Sequence, residues 1–232
     1  MKIIAVLESA IDAGGAFNQG LNAILQIRRI CDGRFDFAVF STKKENIEEL
    51  RKLGIICIWV PITWVDKTIA IISNWGWWRK IQNTFTIYGP FEKKIIENGC
   101  DLVYFLTQSS TPKILQKTNF ITTVFDLCHR DTPEFPEVGS FGKFQAMEKH
   151  FKDNLSSAVF VVTESESLSD SISRRYGIDR DRCLVMPMTK SPFLQVGVSV
   201  ETPVVLKKYN LVAGYYFYPA QFWAHKNHIR IL

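Results

Sequence analysis

With 232 residues, 47% of them hydrophobic and 22% charged, the chain has the composition of an ordinary globular protein and not of a disordered tail, a collagen-like chain or a small disulfide scaffold. Its net charge of +5, from 28 Lys and Arg against 23 Asp and Glu, is too mild to argue for nucleic acid and suits any anionic partner: a nucleotide, a phosphate-bearing lipid or an acidic membrane surface. The length fits one large domain, or one domain and a fragment of another, and is enough to bury about 70% of the unfolded surface.

In chain order, residues 2–7 (Lys-Ile-Ile-Ala-Val-Leu) read as a buried strand; the apolar run is too short for a signal peptide and meets Glu8. Phe17, Leu21, Ile24 and Leu25 then recur at helical spacing. Residues 35–40 form a second strand, and Thr42-x-x-Glu45 is a capping box opening a helix that carries Ile47, Leu50 and Leu53. Strands follow at 55–60, 101–106, 120–125 and 158–163. Thr163-x-x-Glu166 then caps a helix stopped by Gly177, and 183–186 is a last short strand ended by Pro187. Strands separated by helices imply βαβ units and a mostly parallel, Rossmann-like sheet with helices on both faces.

Residues 188–203, rich in Ser, Pro, Gly, Val and Thr, mark a boundary. Beyond it the pattern gives a helix at 203–209, a strand at 214–218 and a helix start at Lys226. The expected organisation is a domain over 1–190, a linker over 191–210 and the first strand-loop-helix of a second, truncated domain over 211–232. Cys31, Cys57, Cys100, Cys128 and Cys183 are scattered with no C-x-x-C pair, which signals neither zinc nor a redox dithiol and fits a reducing cytoplasm. The uncharged stretch 53–65 is ended by Asp66 and Lys67 before it could span a bilayer.

Four segments carry candidate chemistry. The turn Ala13-Gly14-Gly15-Ala16 lets backbone approach a ligand at a helix N-terminus, although it lacks the dinucleotide G-x-G-x-x-G pattern and also reads as a plain tight turn. The loop Phe125-Asp126-Leu127-Cys128-His129-Arg130-Asp131-Thr132-Pro133-Glu134-Phe135-Pro136-Glu137 follows a strand at the carboxyl edge, where open α/β sheets bind ligands. In it His129 is an acid, a base or a hydroxyl partner and Arg130 a phosphate clamp; otherwise the loop is held by salt bridges and His129 is structural. In Tyr218-Pro-Ala-Gln221-Phe-Trp-Ala-His225-Lys226-Asn-His228, Lys226 in a first helical turn would hold a phosphate, while His225 and His228 lack the Cys or acidic neighbours a metal site needs. Residues 59–94 hold Trp59, Trp64, Trp75, Trp77 and Trp78 interleaved with Lys67, Arg79, Lys80, Lys93 and Lys94, which suits a membrane interface or a filled gap between sheet and helices.

These segments, in this order, resemble the N-terminal half of family 4 glycosyltransferases of the two-Rossmann-domain GT-B fold. The Asp-Leu-Cys-His-Arg loop and the Pro-Ala-Gln-Phe-Trp stretch are similar to members that build O-antigen and other surface polysaccharides. Val161-Val-Thr-Glu-Ser-Glu and Ile172-Ser-Arg-Arg-Tyr-Gly-Ile add to the likeness. The resemblance implies transfer of a sugar from a nucleotide-diphosphate donor to a glycan or lipid-linked acceptor, with retention at the anomeric carbon and no metal or other cofactor. It implies Gly14, Gly15, Gln221 and Lys226 toward the donor, Asp126 and His129 in catalysis, and Arg130 and Glu134 toward the acceptor. With no export signal read at its start, the sequence suggests a cytoplasmic protein, peripheral at the inner membrane face through residues 59–94. Two positions depart from the family: Phe125 stands where a His often precedes the loop Asp, and Gln221 where many members have Arg. The family's Glu-x7-Glu donor motif lies beyond Leu232, so the chain alone is expected to have little or no transferase activity. The competing readings are a non-catalytic acceptor- or membrane-binding module and another Rossmann-type nucleotide enzyme.

Overall fold

The computed structural model describes residues 1–72, 81, 87–191 and 202–231. Its centre is a seven-stranded, wholly parallel sheet in the order β3-β2-β1-β4-β5-β6-β7. The strands are β1 (Lys2–Leu7), β2 (Asp36–Ser41), β3 (Cys57–Trp59), β4 (Leu102–Phe105), β5 (Asn119–Val124), β6 (Phe160–Thr163) and β7 (Cys183–Val185). The helices are α1 (Gly15–Cys31), α2 (Asn46–Lys52), α3 (Trp64–Ile72), α4 (Pro90–Glu97), α5 (Cys128–Asp131), α6 (Pro136–Gly139), α7 (Lys143–Ser157), α8 (Glu166–Tyr176) and α9 (Thr202–Tyr209). The expected α/β, Rossmann-like class is the observed one.

Alternation along the strands divides the core in two. Ala5 and Leu7 of β1 pack with Phe17, Leu21 and Ile24 of α1 and Leu50 of α2 on one face. Ile4 and Val6 turn to the other face and meet Phe91 and Ile95 of α4, Phe151 and Leu155 of α7, and Ile172 of α8. The order reverses direction between β1 and β4, so the loops after these two strands diverge and leave a crevice at the carboxyl edge.

Two buried carboxylates tie helices to loops. Asp66, fully buried on α3, accepts hydrogen bonds from the Thr63 amide (2.7 Å) and hydroxyl (2.6 Å) and from the Phe91 amide (3.0 Å), which joins the starts of α3 and α4. Glu92, also fully buried, accepts from the amides of Gln116, Lys117 and Thr118 at 2.8–3.0 Å and from the Thr118 hydroxyl at 3.1 Å. It thereby fixes the turn that delivers the chain into β5.

Several expected boundaries move for local reasons. The capping box at Thr42 and Glu45 does not form: α2 starts at Asn46, and Glu45 is already in helical backbone with no side-chain cap. The Ser41 hydroxyl instead fixes the approach to the helix, accepting from the Lys43 amide (3.1 Å) and the Asn46 side chain (3.0 Å). The α8 cap is Ser165, not Thr163, with the Ser165 hydroxyl accepting from the Leu168 amide at 3.3 Å. Gly177 ends that helix with φ +67, as expected. Strand β3 is shorter than 55–60 because the Ile55 amide bonds to the Leu50 carbonyl (2.9 Å) and belongs to the end of α2. The short helix near 203–209 is present as α9. Residues 214–218, expected as a strand, form none: no strand among the described residues supplies a ladder, and the rings of Tyr216 and Phe217 stand in solvent. The helix start at Lys226 is instead a pair of 3-10 turns, Ala224–Lys226 and His228–Arg230, broken by Asn227 with φ +51. Among the described residues no helix is long and apolar enough to cross a membrane.

Because Glu92 organises three successive amides, Glu92→Ala should lower unfolding free energy by about 2–4 kcal/mol in urea melts, and Glu92→Gln by less. An unchanged midpoint in both variants would refute this role.

Candidate functional site

The crevice is floored by the carboxyl ends of β1, β4, β5 and β6. After β1, Glu8 is drawn into the edge. Its Oε1 accepts a short hydrogen bond from the Thr111 hydroxyl, and its Oε2 is buried without a partner among the described residues. Burial raises its pKa, against the opposing hydrogen bonds of Ser109 and Thr111 and the charge of Lys43. The same loop reaches Gly14, which adopts φ +60 as the N-cap of α1; a Cβ at Gly14 or Gly15 would meet no atom within 4 Å. This turn therefore faces open space, and α1 begins with no acidic residue and no side-chain cap on its amides.

After β5, Asp126 is exposed, and its Oδ1 accepts from the Cys128 amide at 3.0 Å in an Asx turn. Glu164, at the end of the neighbouring β6, has its pKa raised by burial and further by the charge of Asp126. The 3-10 turn Ala224–Lys226 docks on this loop. Glu137 Oε1 accepts from the His225 amide (3.0 Å) and its Nδ1–H (2.8 Å), and the rings of Phe135 and His225 meet edge to face. The contact holds the Glu137 pKa below the usual carboxylate range, chiefly through the His225 amide. It also brings the Lys226 ammonium close enough to act on the Cys128 thiol, whose pKa burial still pushes up to about 11. The 3-10 turn that carries Lys226 thus rests on the loop that carries Asp126.

The structure separates the other expected site residues from this edge. His129 is fully buried: its ring stacks on Phe151 (centroids 5.0 Å apart, planes at 9°), and its Nε2–H donates to Glu148 Oε1 at 2.8 Å. Arg130 forks onto the same carboxylate through Nε (2.6 Å) and Nη2 (2.5 Å), with its guanidinium 4.9 Å from the Tyr176 ring. The Tyr176 hydroxyl donates to Glu148 Oε1 at 2.8 Å. In this arrangement His129 and Arg130 brace the loop from behind, and the His129 Nδ1 is buried without a partner among the described residues. Glu134 and Gln221 are exposed, Glu134 on the loop's outer part and Gln221 with its carbonyl accepting from the Trp223 amide at 2.8 Å. His225 and His228 do not converge: His225 holds Glu137, and His228 lies against the Ala220 carbonyl at 3.3 Å. Among the described residues no three His, Cys, Asp or Glu side chains gather as a metal would need.

Glu148, Glu164 and Glu8 were not singled out from sequence. Glu148 had a signal, since it shares the inner helical stripe with Phe151 and Leu155, an apolar setting in which a carboxylate must be paired. Of the tryptophans, Trp59 and Trp64 are exposed at 46% and 77%, so neither fills an interior gap; Trp75, Trp77 and Trp78 lie outside the described residues.

No protein-family model matches this sequence, and no curated protein matches it. Solved structures with a similar chain path include a glycosyltransferase from Rickettsia africae ESF-5 (15% identity, TM-score 0.49), aligned over 92% of this chain and 50% of that one. They also include the UDP-GlcNAc 2-epimerase from Methanocaldococcus jannaschii (12% identity, TM-score 0.49), aligned over 80% of this chain and 45% of that one. The chain spans half or less of the length of each.

Arg130 first, then Tyr176 and His129, hold the Glu148 pKa down to about 2 from 4.5. A depressed carboxylate stabilises the fold above its unfolded value, so this stabilisation should be lost as pH falls from about 4.5 to about 2. His150, pushed down to about 4 mainly by burial, should cost stability earlier, between about 6.5 and 4. In urea melts across pH, Glu148→Gln should remove the lower of these two losses and keep the upper one; a melt profile identical to wild type would contradict the assignment.

Proposed function

We propose that this chain is the acceptor-side part of a GT-B glycosyltransferase of the retaining family 4 type, which moves a sugar from a nucleotide-diphosphate donor to a glycan or lipid-linked acceptor in surface-polysaccharide synthesis. The observation that carries the reading is the docking of the Ala224–Lys226 turn on the loop after β5 through Glu137 and His225, which brings Lys226 within electrostatic reach of Cys128, two residues from Asp126. The open Gly14-Gly15 turn starts from the same edge. In such a reaction negative charge grows on the departing diphosphate. A fixed ammonium and the free amides of a helix start stabilise that charge without a metal. Gly14, Gly15, Gln221 and Lys226 would face the donor, and Asp126 the reacting centre. His129 and Arg130 would act at one remove, by fixing the loop that carries Asp126, and Glu134 would lie toward the acceptor. Residues 1–190 would form the acceptor-side domain, 191–210 the linker and 211–232 the start of the donor-side domain, with the protein working in the cytoplasm.

The test is a chemical-shift titration with uridine, guanosine and thymidine diphosphates. At least one should perturb Gly14, Gly15 and Lys226, and Lys226→Ala should weaken its binding by about tenfold or more, the worth of a hydrogen bond to a charged group. No binding, or equal binding by the variant, would sink the reading.

A second role is favoured by two exposed rings: Trp64, which faces solvent on α3 together with Lys67, and Trp59 on the edge strand, whose ring centroid lies 5.7 Å from the Lys44 ammonium. A ring of this kind next to a lysine suits the headgroup layer of an anionic bilayer. Co-sedimentation with vesicles of mixed zwitterionic and anionic phospholipid should fall several-fold in a Trp59→Ala, Trp64→Ala double variant. Undiminished binding would remove this face from consideration.

A further inference from the structure

The sheet has an open edge. Strand β3 ends the order and pairs only with β2, and the Val60 amide closes that pairing on the Ser41 carbonyl at 2.9 Å. In a parallel ladder, alternate residues turn both of their main-chain groups to the same side. Ile58 and Val60 therefore face β2. Cys57 and Trp59 turn their N–H and C=O groups outward, where no strand among the described residues meets them. The open stretch is confined to these two residues. Before it the Ile55 amide is taken by the Leu50 carbonyl at 2.9 Å, and after it Pro61 has no N–H to offer.

The side chains around this edge are apolar on both faces. Ile56 and Ile58 lie on one face of the sheet, 90% and 39% exposed, and Trp59 lies on the other. Sheet edges are normally protected by charged side chains that repel an approaching strand, yet residues 53–65 contain no Asp, Glu, Lys or Arg. On the Trp59 face the bordering helix α2 presents Lys44, Glu48 and Arg51, a stripe of both signs that does not repel an identical stripe. The shape of the open stretch selects its occupant. Laid antiparallel to itself with Ile58 on a two-fold axis, β3 sets Cys57 of each copy opposite Trp59 of the other. Each such pair exchanges hydrogen bonds in both directions. Both open residues are then used on both copies, whereas a longer foreign strand would run on past them to Pro61 and the occupied Ile55 amide.

We propose that this edge docks a second copy of the chain, β3 against β3 in antiparallel register about Ile58, so that one sheet runs through both copies. Such a pair covers Trp59 and leaves Trp64 open, because α3 packs through Ala70 on the face opposite α2. Pairing and bilayer contact therefore compete for Trp59 alone. The Asp126 loop leaves β5, on the far side of β1 from this edge, so the proposal stands or falls apart from the sugar-transfer reading.

Sedimentation equilibrium of the wild-type chain at up to ~200 μM should show a reversible dimer, the weak association expected of so short an edge. Ile58→Lys should be a monomer under the same conditions, and Ile58 is exposed, so the change leaves the buried core alone. The register is read by mild oxidation of cysteine variants. In the proposed pairing position 58 faces itself across the axis with Cα atoms about 4.5 Å apart, within disulfide reach, while position 56 faces position 60 of the other copy. Ile58→Cys should therefore cross-link to a dimer that a reductant dissolves. Ile56→Cys, at the more exposed site, should cross-link no more than wild type. A monomeric wild type, an Ile58→Lys variant that still pairs, or Ile56→Cys cross-linking as readily as Ile58→Cys would each overturn the proposal.

Discussion

The constraint from which the molecule is built is the parallel sheet itself. Every strand runs the same way, so every loop that leaves a carboxyl end emerges on one edge, and both faces must be covered by helices. The reversal of strand order between β1 and β4 then decides where the edge opens. Glu8, the Gly14-Gly15 turn, Asp126 and Glu164 have no relation in sequence. They are neighbours because they follow strands that the ladder places side by side.

Behind that edge a second layer holds the loops in place with buried carboxylates. Asp66, Glu92 and Glu148 each accept several hydrogen bonds, and each lies on a helix packed against the same face of the sheet. A carboxylate removed from water is tolerated only when its oxygens are filled, so each of these groups fixes the geometry of the segment that fills it. Glu148 does this for the Asp126 loop through His129, Arg130 and Tyr176, so the motif's most reactive-looking residues become its supports.

How much of this could be read from the sequence follows from range. The strands and the α1 and α8 helices were legible because alternation and the 3.6-residue repeat are local, and Gly177 announces its own helix end. The supposed caps at Thr42 and Thr163 failed for different reasons: α2 starts at Asn46 with no side-chain cap, and α8 is capped by Ser165, two positions on from Thr163, which ends β6. Residues 214–218 have strand-like composition, but a strand is a relation between two segments, and no described segment pairs with this one. In the site, Asp126 and Lys226 were recognisable as chemistry. The inward turn of His129 depended on Glu148, nineteen residues away, which local spacing does not reveal.

The hold of Asn22 on Thr189 and Lys190 reaches across 167 residues and is reinforced by the Ser191 hydroxyl on Asn18 Oδ1 at 2.7 Å. The chain leaving β7 is therefore pinned to the first turns of α1, within a few residues of the glycine pair. One helix therefore does two jobs, so a substitution at Asn18 or Asn22 touches the crevice wall and the path of the chain leaving the sheet together.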